Sequence, residues 1–567
     1  MCKKTEIWRI TQNYVLFKIS YDVKKIPLFI CFNTLHAIKL CTKKIEDYAG
    51  IWKGTAVKSN PFSLTITIKK EEGENASFII ANENEILHEK FKLNDTINIQ
   101  LNEKLIFKGI MNNEHSEISG FIKIGFDFYP IKLHKKNATF QGKWNLSANY
   151  YLQPESLYLN IIKFDEPDEG FMAYPKLGTY WVTDCKVKNN TISFEDYKTG
   201  LLFKGELESS KIEMTVSLGT LELSQISYHK TAQNENVASI KKEANRDIND
   251  GWKNSKNQLI LSTLEKDIIG NVLEGVESVV IAQNGKLRYE NYFGNSNSVT
   301  PNDMRSAGKS IGSAVIGIAI DDGIIESTLE EVYKYLPKEY QYTKDKQKSM
   351  IQIKDLLTMS SGIGVYENDY QQSDDWLKMV LEPTLKHNPG SHTNYMSADP
   401  FLLSVYLSER LSYPLEFYIQ KKLFSPLGIT NYILNTDDKG VPYFAGGLNL
   451  TPRDMLKFGQ LYLNKGTWKG KRIISEKWIE ASFKKHTRLE NTSNKNEYGY
   501  FWWHETYKVN GKTIKSIEAR GNGGQYISII PELNTVVVIT TENYNIRRLS
   551  KQTEKILKAY ILPTLIK

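Results

Sequence analysis

Arg305-Ser306-Ala307-Gly308-Lys309-Ser310 runs without a break into Ile311-Gly312-Ser313-Ala314-Val315-Ile316-Gly317-Ile318-Ala319-Ile320, and Asp321-Asp322-Gly323 stops it. The run is apolar on every face and interrupted only by small residues, which predicts a helix of about four turns, packed closely and buried all round. Gly323 supplies the residue that ends it. Ser306 falls in the first turn and Lys309 three positions on, so hydroxyl and ammonium share one helix face. A serine hydroxyl needs a neighbouring base, or a cation that lowers its pKa, to act as a nucleophile at neutral pH. A lysine at the mouth of an apolar helix is desolvated, which pushes its pKa down and lets it accept a proton. The helix N-terminus aims backbone N–H groups at an incoming carbonyl oxygen. Ser-x-x-Lys is common by chance; the buried helix behind it makes Ser306 and Lys309 a candidate nucleophile and its activating partner.

Two further constellations follow. After Asn388-Pro389-Gly390 come Asn394-Tyr395-Met396-Ser397 and an apolar helix beginning near Phe401-Leu402-Leu403. A tyrosine on a loop ahead of a buried helix can face a cleft, where nearby cations or dipoles let its phenol ionise and act as general base. Ser397 would point the same way in an extended loop and relay a hydrogen bond. Further on, Glu518-Ala519-Arg520-Gly521-Asn522-Gly523-Gly524-Gln525 lies between β-prone runs, with Tyr526-Ile527-Ser528-Ile529-Ile530 and Val536-Val537-Val538-Ile539 after it. Glycines beside a strand let a ligand or another backbone approach closely, so a strand N–H there could be a second oxyanion donor. Read alone, Tyr395 is more simply one of 32 tyrosines packed under a helix, and the glycine segment a bulged hairpin.

Taken in order, these pieces are similar to those of the serine β-lactamase and penicillin-binding-protein superfamily. The resemblance runs from about Asp250-Gly251-Trp252 to the C-terminus and is strongest to class C-type enzymes, including esterases and 6-aminohexanoate-dimer hydrolases. It is carried by Ser306-Ala307-Gly308-Lys309, Ile353-Lys354-Asp355-Leu356-Leu357-Thr358-Met359-Ser360-Ser361-Gly362, Tyr395-Met396-Ser397, Phe424-Ser425-Pro426-Leu427-Gly428 and Gly521-Asn522-Gly523-Gly524. It implies an α+β catalytic domain, an antiparallel sheet flanked by helices plus an all-helical lobe, with the cleft between. It further implies Ser306 as acylated nucleophile, Lys309 as activator and Tyr395 as general acid/base. The oxyanion donors would be the backbone of Ser306 and of the third motif, at Asn522 or its neighbour Gly521. Tyr-x-Ser in place of Tyr-x-Asn, and Ala519-Arg520-Gly521 in place of a Lys-Thr-Gly strand, remove the partners a β-lactam carboxylate would use. Both departures look more like the esterase and amidase branch, as does Glu367-Asn368-Asp369-Tyr370, where the resemblance makes Tyr370 a substrate contact. Arg520 is either a replacement carboxylate binder or an outward surface residue.

The first part of the chain reads differently. From residue 46 it breaks into short alternating segments such as Ser63-Leu64-Thr65-Ile66-Thr67-Ile68, the period of half-buried antiparallel strands. Gly50-Ile51-Trp52 recurs as Gly142-Lys143-Trp144, Leu105-Ile106-Phe107-Lys108-Gly109 as Leu201-Leu202-Phe203-Lys204-Gly205, and His134-Lys135 as His229-Lys230. These spacings predict two all-β modules of about 90 residues each, with Trp52 and Trp144 plugging the cores. The expected domains are a leader at 1–45, β modules at 46–136 and 137–231, a polar linker at 232–258 and the hydrolase domain at 259–567. Lys24-Lys25, then Ile26-Pro27-Leu28-Phe29-Ile30-Cys31-Phe32, then Leu35-His36-Ala37 have the order of a secretory signal, so export is expected, with a cytoplasmic location as the alternative.

Composition narrows the function. The 567 residues are 41% hydrophobic and 24% charged, the balance of globular protein rather than a disordered chain. The net charge of +8 is spread over lysines interrupted by acidic residues, which argues for solvated faces and against a nucleic-acid surface. Four cysteines, none after Cys185, form neither a disulfide framework nor a zinc site. The nine histidines lack zinc-type pairing, and His392 and His504 are read as structural or surface residues. No metal or cofactor is implied. The expected activity is a serine hydrolase working through an acyl-enzyme on a small ester or amide, with cell-envelope or glycan contact assigned to the β modules. The alternatives are a D-alanyl carboxypeptidase or β-lactamase of the same fold, and a non-catalytic ligand-sensing or cell-wall-binding protein.

Overall fold

The computed structural model describes residues 6–10, 16–20, 48, 50–56, 62–82, 84–146, 158–161, 171–174, 182–188, 190–196, 201–208, 210–231, 241–242, 249–294, 296–341, 346–492 and 495–566. The apolar segment and cleavage site of the expected export signal lie outside them, as do 232–240 and 243–248 of the expected linker. Among the described residues no helix is long and apolar enough to cross a membrane.

The chain divides into two compact units: Met1–Asn94, Ile99–Ile106 and Leu133–Glu235 in one, and Asp95–Asn98, Phe107–Lys132 and Asn236–Lys567 in the other. The first unit is built of antiparallel strands whose alternating sequence becomes alternating burial. In Ser63–Lys70 it is Leu64, Ile66 and Ile68 that turn inward. Trp52 and Trp144 are fully buried, and the Trp52 indole N–H donates to the Tyr48 carbonyl at 2.9 Å.

The two repeats exchange their opening strands. Gly50–Ala56, which opens the first repeat, pairs with Leu221–Thr231 and Tyr158–Ile161 of the second. Thr139–Asn145, which opens the second, pairs with Ser63–Lys70 of the first. A short turn joins residues 134–136 to 139–141, which pair with each other, so Thr139–Asn145 follows directly on the last strand of the first repeat.

In the second unit nine antiparallel strands form one sheet, with Lys286–Phe293, Val276–Gln283, Thr535–Thr541, Gln525–Ile530, Lys512–Gly521 and Trp503–Val509 side by side in that order. The Asn284-Gly285 turn has φ of 53° and 70°, the two positive values a tight hairpin needs. Val276–Gln283 is buried along almost its whole length because both of its faces are covered. Val279 and Ile281 join a cluster with Leu264, Ile268, Ile556 and Leu557, whereas Val280 and Ala282 join the large core on the other side. That large core contains the helices Lys309–Asp321, Ala398–Arg410 and Pro452–Leu463. Buried Arg453 links the last of these to the sheet. Its Nε donates to Glu290 Oε1 at 2.8 Å and its Nη1 to Asp250 Oδ1 at 3.0 Å.

In the same unit Asn302–Asp303, Leu448–Leu450, Tyr432–Asn435 and residues 127–128 pair side by side in that order. Residues 107–132, which by sequence belong to the first β repeat, thus enter the core of the second unit. Phe121 and Phe128 are fully buried in it, Phe121 meeting Phe417 edge-on at 5.0 Å. Phe126 stacks on Trp376 at 5.8 Å, and Lys108 Nζ pairs with the buried Glu416 carboxylate at 2.9 Å.

Candidate active site

Ser306 lies in a 3₁₀ turn, Arg305–Gly308, that leads directly into the helix Lys309–Asp321. The turn is held from three sides. Arg305 takes φ of +50°, and its N–H donates to Asp303 Oδ1 at 3.0 Å. Gly446 presses on it so closely that a Cβ there would sit 2.9 Å from Arg305 C and 3.3 Å from Ser306 N. A Cβ on Gly521 would collide with the Met304 carbonyl oxygen at 2.1 Å. Only glycine permits the strand end and the loop to reach the serine turn.

Lys309 is 1% exposed, at the root of the helix. Its Nζ donates to Ser306 Oγ at 2.8 Å and to Ser397 Oγ at 3.3 Å, and also to the Ala445 carbonyl. The Tyr395 ring centroid lies 5.3 Å from Nζ. Burial brings the ammonium down from its ordinary value to about 8, with the Glu367 charge pulling the other way. A side chain that is neutral in part at neutral pH, one hydrogen bond from a serine hydroxyl, is the arrangement that proton abstraction requires.

The loop carrying Tyr395 is clamped by Asn491, whose Oδ1 accepts from Tyr395 N at 2.9 Å and whose Nδ2 donates to Tyr395 O at 3.3 Å. The ring packs against Trp503 at 5.2 Å and Tyr498 at 6.2 Å, so Trp503 walls the tyrosine while Trp502 is fully buried. Burial pushes the Tyr395 phenol well up, more than a hydrogen bond with the Ser306 side chain lowers it. Burial thus disfavours the ionised form that action as a general base would call for.

Ser397 meets Lys309, as its spacing from Tyr395 suggested, and its Oγ donates to Glu367 Oε2 at 3.0 Å. Tyr370, expected to touch substrate, does not reach the cleft. It is fully buried, stacked on Phe401 at 5.4 Å and hydrogen-bonded to the Tyr443 hydroxyl. In the short helix Glu367–Gln371 it is the first residue of the quoted motif, not the last, that turns toward Lys309. Glu367 Oε1 accepts from Tyr443 OH at 2.5 Å. The motif was visible in the sequence; which of its residues faced inward depended on where that helix packs.

Gly521 ends its strand opposite Gln525 and lies against the serine turn. Asn522 is at the exposed hairpin tip, where its side chain exchanges hydrogen bonds with Asn545 at 2.9 and 2.7 Å. Arg520 is neither an outward surface residue nor a free carboxylate binder. It is 10% exposed, and its guanidinium is taken by Glu518, Glu505 and Glu554. His392 is exposed beside His387, and burial brings the His504 imidazole down to about 4. Among the described residues no group of three or more His, Cys, Asp or Glu is placed to hold a metal ion. A separate cavity of about 580 Å³ is lined by Asp355, Thr358, Ser360, Gly390, His486 and Tyr500 among others, none of them from the Ser306 cluster.

Comparison with known proteins adds the family. The chain is 24% identical over 267 residues to the 6-aminohexanoate-dimer hydrolase of Paenarthrobacter ureafaciens, covering 41% of this chain and 64% of that protein. It is 28% identical over 126 residues to an Escherichia coli K12 protein named for D-alanyl-D-alanine carboxypeptidase activity, covering 28% of that protein. The chain thus spans less than two thirds of the curated relatives it matches. Among solved structures, a β-lactamase/D-alanine carboxypeptidase from Yersinia pestis has 20% identity and a TM-score of 0.43, covering 53% of this chain and 96% of that one. A family VIII carboxylesterase has 16% identity and a TM-score of 0.42, covering 53% and 99%. The β-lactamase family model matches residues 268–560, more than half of the sequence and the whole of the Ser306 cluster, and the chain belongs to that family of hydrolase folds.

Proposed function

We propose that the protein is a serine hydrolase that acts through an acyl-enzyme on a small ester or amide. The observation that carries this is the buried Lys309, whose Nζ lies 2.8 Å from Ser306 Oγ and whose pKa is lowered to about 8. At pH 7 roughly one Lys309 in ten is then neutral and able to take the serine proton. Ser306 Oγ bonds to the substrate carbonyl carbon as its proton passes to Lys309 Nζ. The negative oxygen of the tetrahedral intermediate faces the Ser306 backbone N–H and the strand end at Gly521 or Asn522. Tyr395, a neutral phenol beside both groups, donates its proton to the leaving alcohol or amine and regains one from Lys309. Water repeats the steps and releases the acid.

Esters and amides are favoured over β-lactams because Arg520, the cation of the strand motif, is neutralised by three carboxylates. A ligand carboxylate would have to displace one of them. The test is hydrolysis of a short p-nitrophenyl ester by the wild type and by Ser306→Ala, with nitrocefin in parallel. Ester turnover should fall on the order of 10⁴-fold in the variant. Near-full activity of Ser306→Ala would refute the mechanism, and rapid nitrocefin cleavage would move the protein to the β-lactamase or carboxypeptidase side.

A further inference from the structure

We propose that Glu367 is a positioning residue that holds the Ser397–Lys309 pair and sets the pH at which Ser306 becomes nucleophilic. The inference rests on the acyl-transfer reading above and assigns a role that reading leaves open.

Glu367 is a half-buried carboxylate two hydrogen bonds from Lys309. Oε2 accepts from Ser397 Oγ at 3.0 Å, and Ser397 Oγ accepts in turn from Lys309 Nζ at 3.3 Å. Oε1 accepts from Tyr443 OH at 2.5 Å, and Gln371 Nε2 donates to the same oxygen at 3.4 Å. The Tyr443 hydroxyl is itself bonded to Tyr370 OH, and both rings are buried beside Trp376 and Phe401. The carboxylate is therefore fixed in direction by an aromatic wall, leaving Oε2 to orient Ser397.

A serine hydroxyl has one proton. While it donates that proton to Glu367, its lone pairs must face Lys309, so Ser397 can only accept from the ammonium. The groups facing Lys309 are Ser306 Oγ, Ser397 Oγ, the Ala445 carbonyl and the Tyr395 ring, and Glu367 is the anion next beyond them. An anion at this place favours the protonated lysine against the desolvation that opposes it. It keeps the Lys309 ammonium docked on Ser306 and ready to return a proton to Tyr395, and it holds the Lys309 titration at a higher pH than burial alone would.

The test is the pH dependence of kcat/KM for a p-nitrophenyl ester in the full-length wild type, Glu367→Gln, Glu367→Asp and Ser306→Ala. Glu367→Gln keeps the shape of the side chain and one acceptor oxygen, enough for Ser397 or for Tyr443 but not for both, and removes the charge. Its rising limb should move to lower pH by about one unit, with kcat reduced more than KM is raised. Glu367→Asp keeps the charge and should restore the wild-type limb. A Glu367→Gln limb that superimposes on the wild type, in a protein with unchanged melting temperature, would overturn the inference while Ser306→Ala remained inactive. Activity retained in Ser306→Ala would instead overturn the acyl-transfer reading itself, so the two failures are distinct.

Discussion

Replacing Lys309 by Met should make the stability of the protein respond to pH in a way that can be computed from the buried ammonium alone. Lys309 is 1% exposed, and its pKa falls from 10.5 to about 8 on burial. That difference means the folded protein holds this proton about 3 kcal/mol less tightly than the unfolded chain. The folded pKa is depressed for a base, so between about pH 8 and about pH 10.5 the unfolded chain binds more protons and stability rises with pH. Lys309→Met lacks this term. From about pH 7 to about pH 9 the wild type should gain about 1.3 kcal/mol relative to the variant.

Urea unfolding of both proteins across that range measures it, because taking the difference cancels every other titrating group. Loss of the hydrogen bonds to Ser306, Ser397 and Ala445 offsets the two curves by a constant amount and leaves their divergence intact. The variant should be inactive throughout. Parallel stability curves, or a wild type that loses ground to the variant as pH rises, would refute the argument that Lys309 is desolvated.

Two further predictions concern what holds the catalytic unit together. Phe121→Ala empties a fully buried site against Phe417 and should cost about 3–5 kcal/mol, read as a lower urea midpoint for loss of ester hydrolysis; an unchanged midpoint would show that residues 107–132 do not support this core. Arg453→Ala leaves the buried Glu290 carboxylate, bound at 2.8 Å in the wild type, without its cation and should cost about 3–5 kcal/mol by the same measurement.

The features legible in the sequence were those set by local spacing. The run from Ile311 to Ile320 could only be a buried helix, and the three-residue interval from Ser306 to Lys309 placed hydroxyl and ammonium on one face whatever packed around them. Asn284-Gly285 required a hairpin because both residues tolerate positive φ. The alternation in Ser63–Lys70 produced a strand with one buried face. Ser397 lies two residues beyond Tyr395 and reaches the same lysine, but it was the resemblance, and not spacing, that singled out Tyr395.

What failed to be legible depended on partners far away in the chain. Glu367 and Tyr370 sit in one motif, but which faced Lys309 was decided by Tyr443 and Phe401, more than thirty positions from Tyr370 at the nearest. Arg520 reads as a surface or ligand-binding cation until Glu505 and Glu554, from two other elements, join its strand neighbour Glu518 around it. Phe121 and Phe128 alternate like any strand residues, and nothing in that pattern says that Phe417 and the strand Tyr432–Asn435 wait for them. The exchange of opening strands between the two repeats is equally silent, since either repeat presents the same pattern of edges. By itself the sequence determined which side chains lie next to one another along a helix or strand, because backbone geometry has short, fixed periods. Only the tertiary structure decided which of them are desolvated and which charges they meet, because burial and Coulomb energy depend on distance in space and not on separation along the chain.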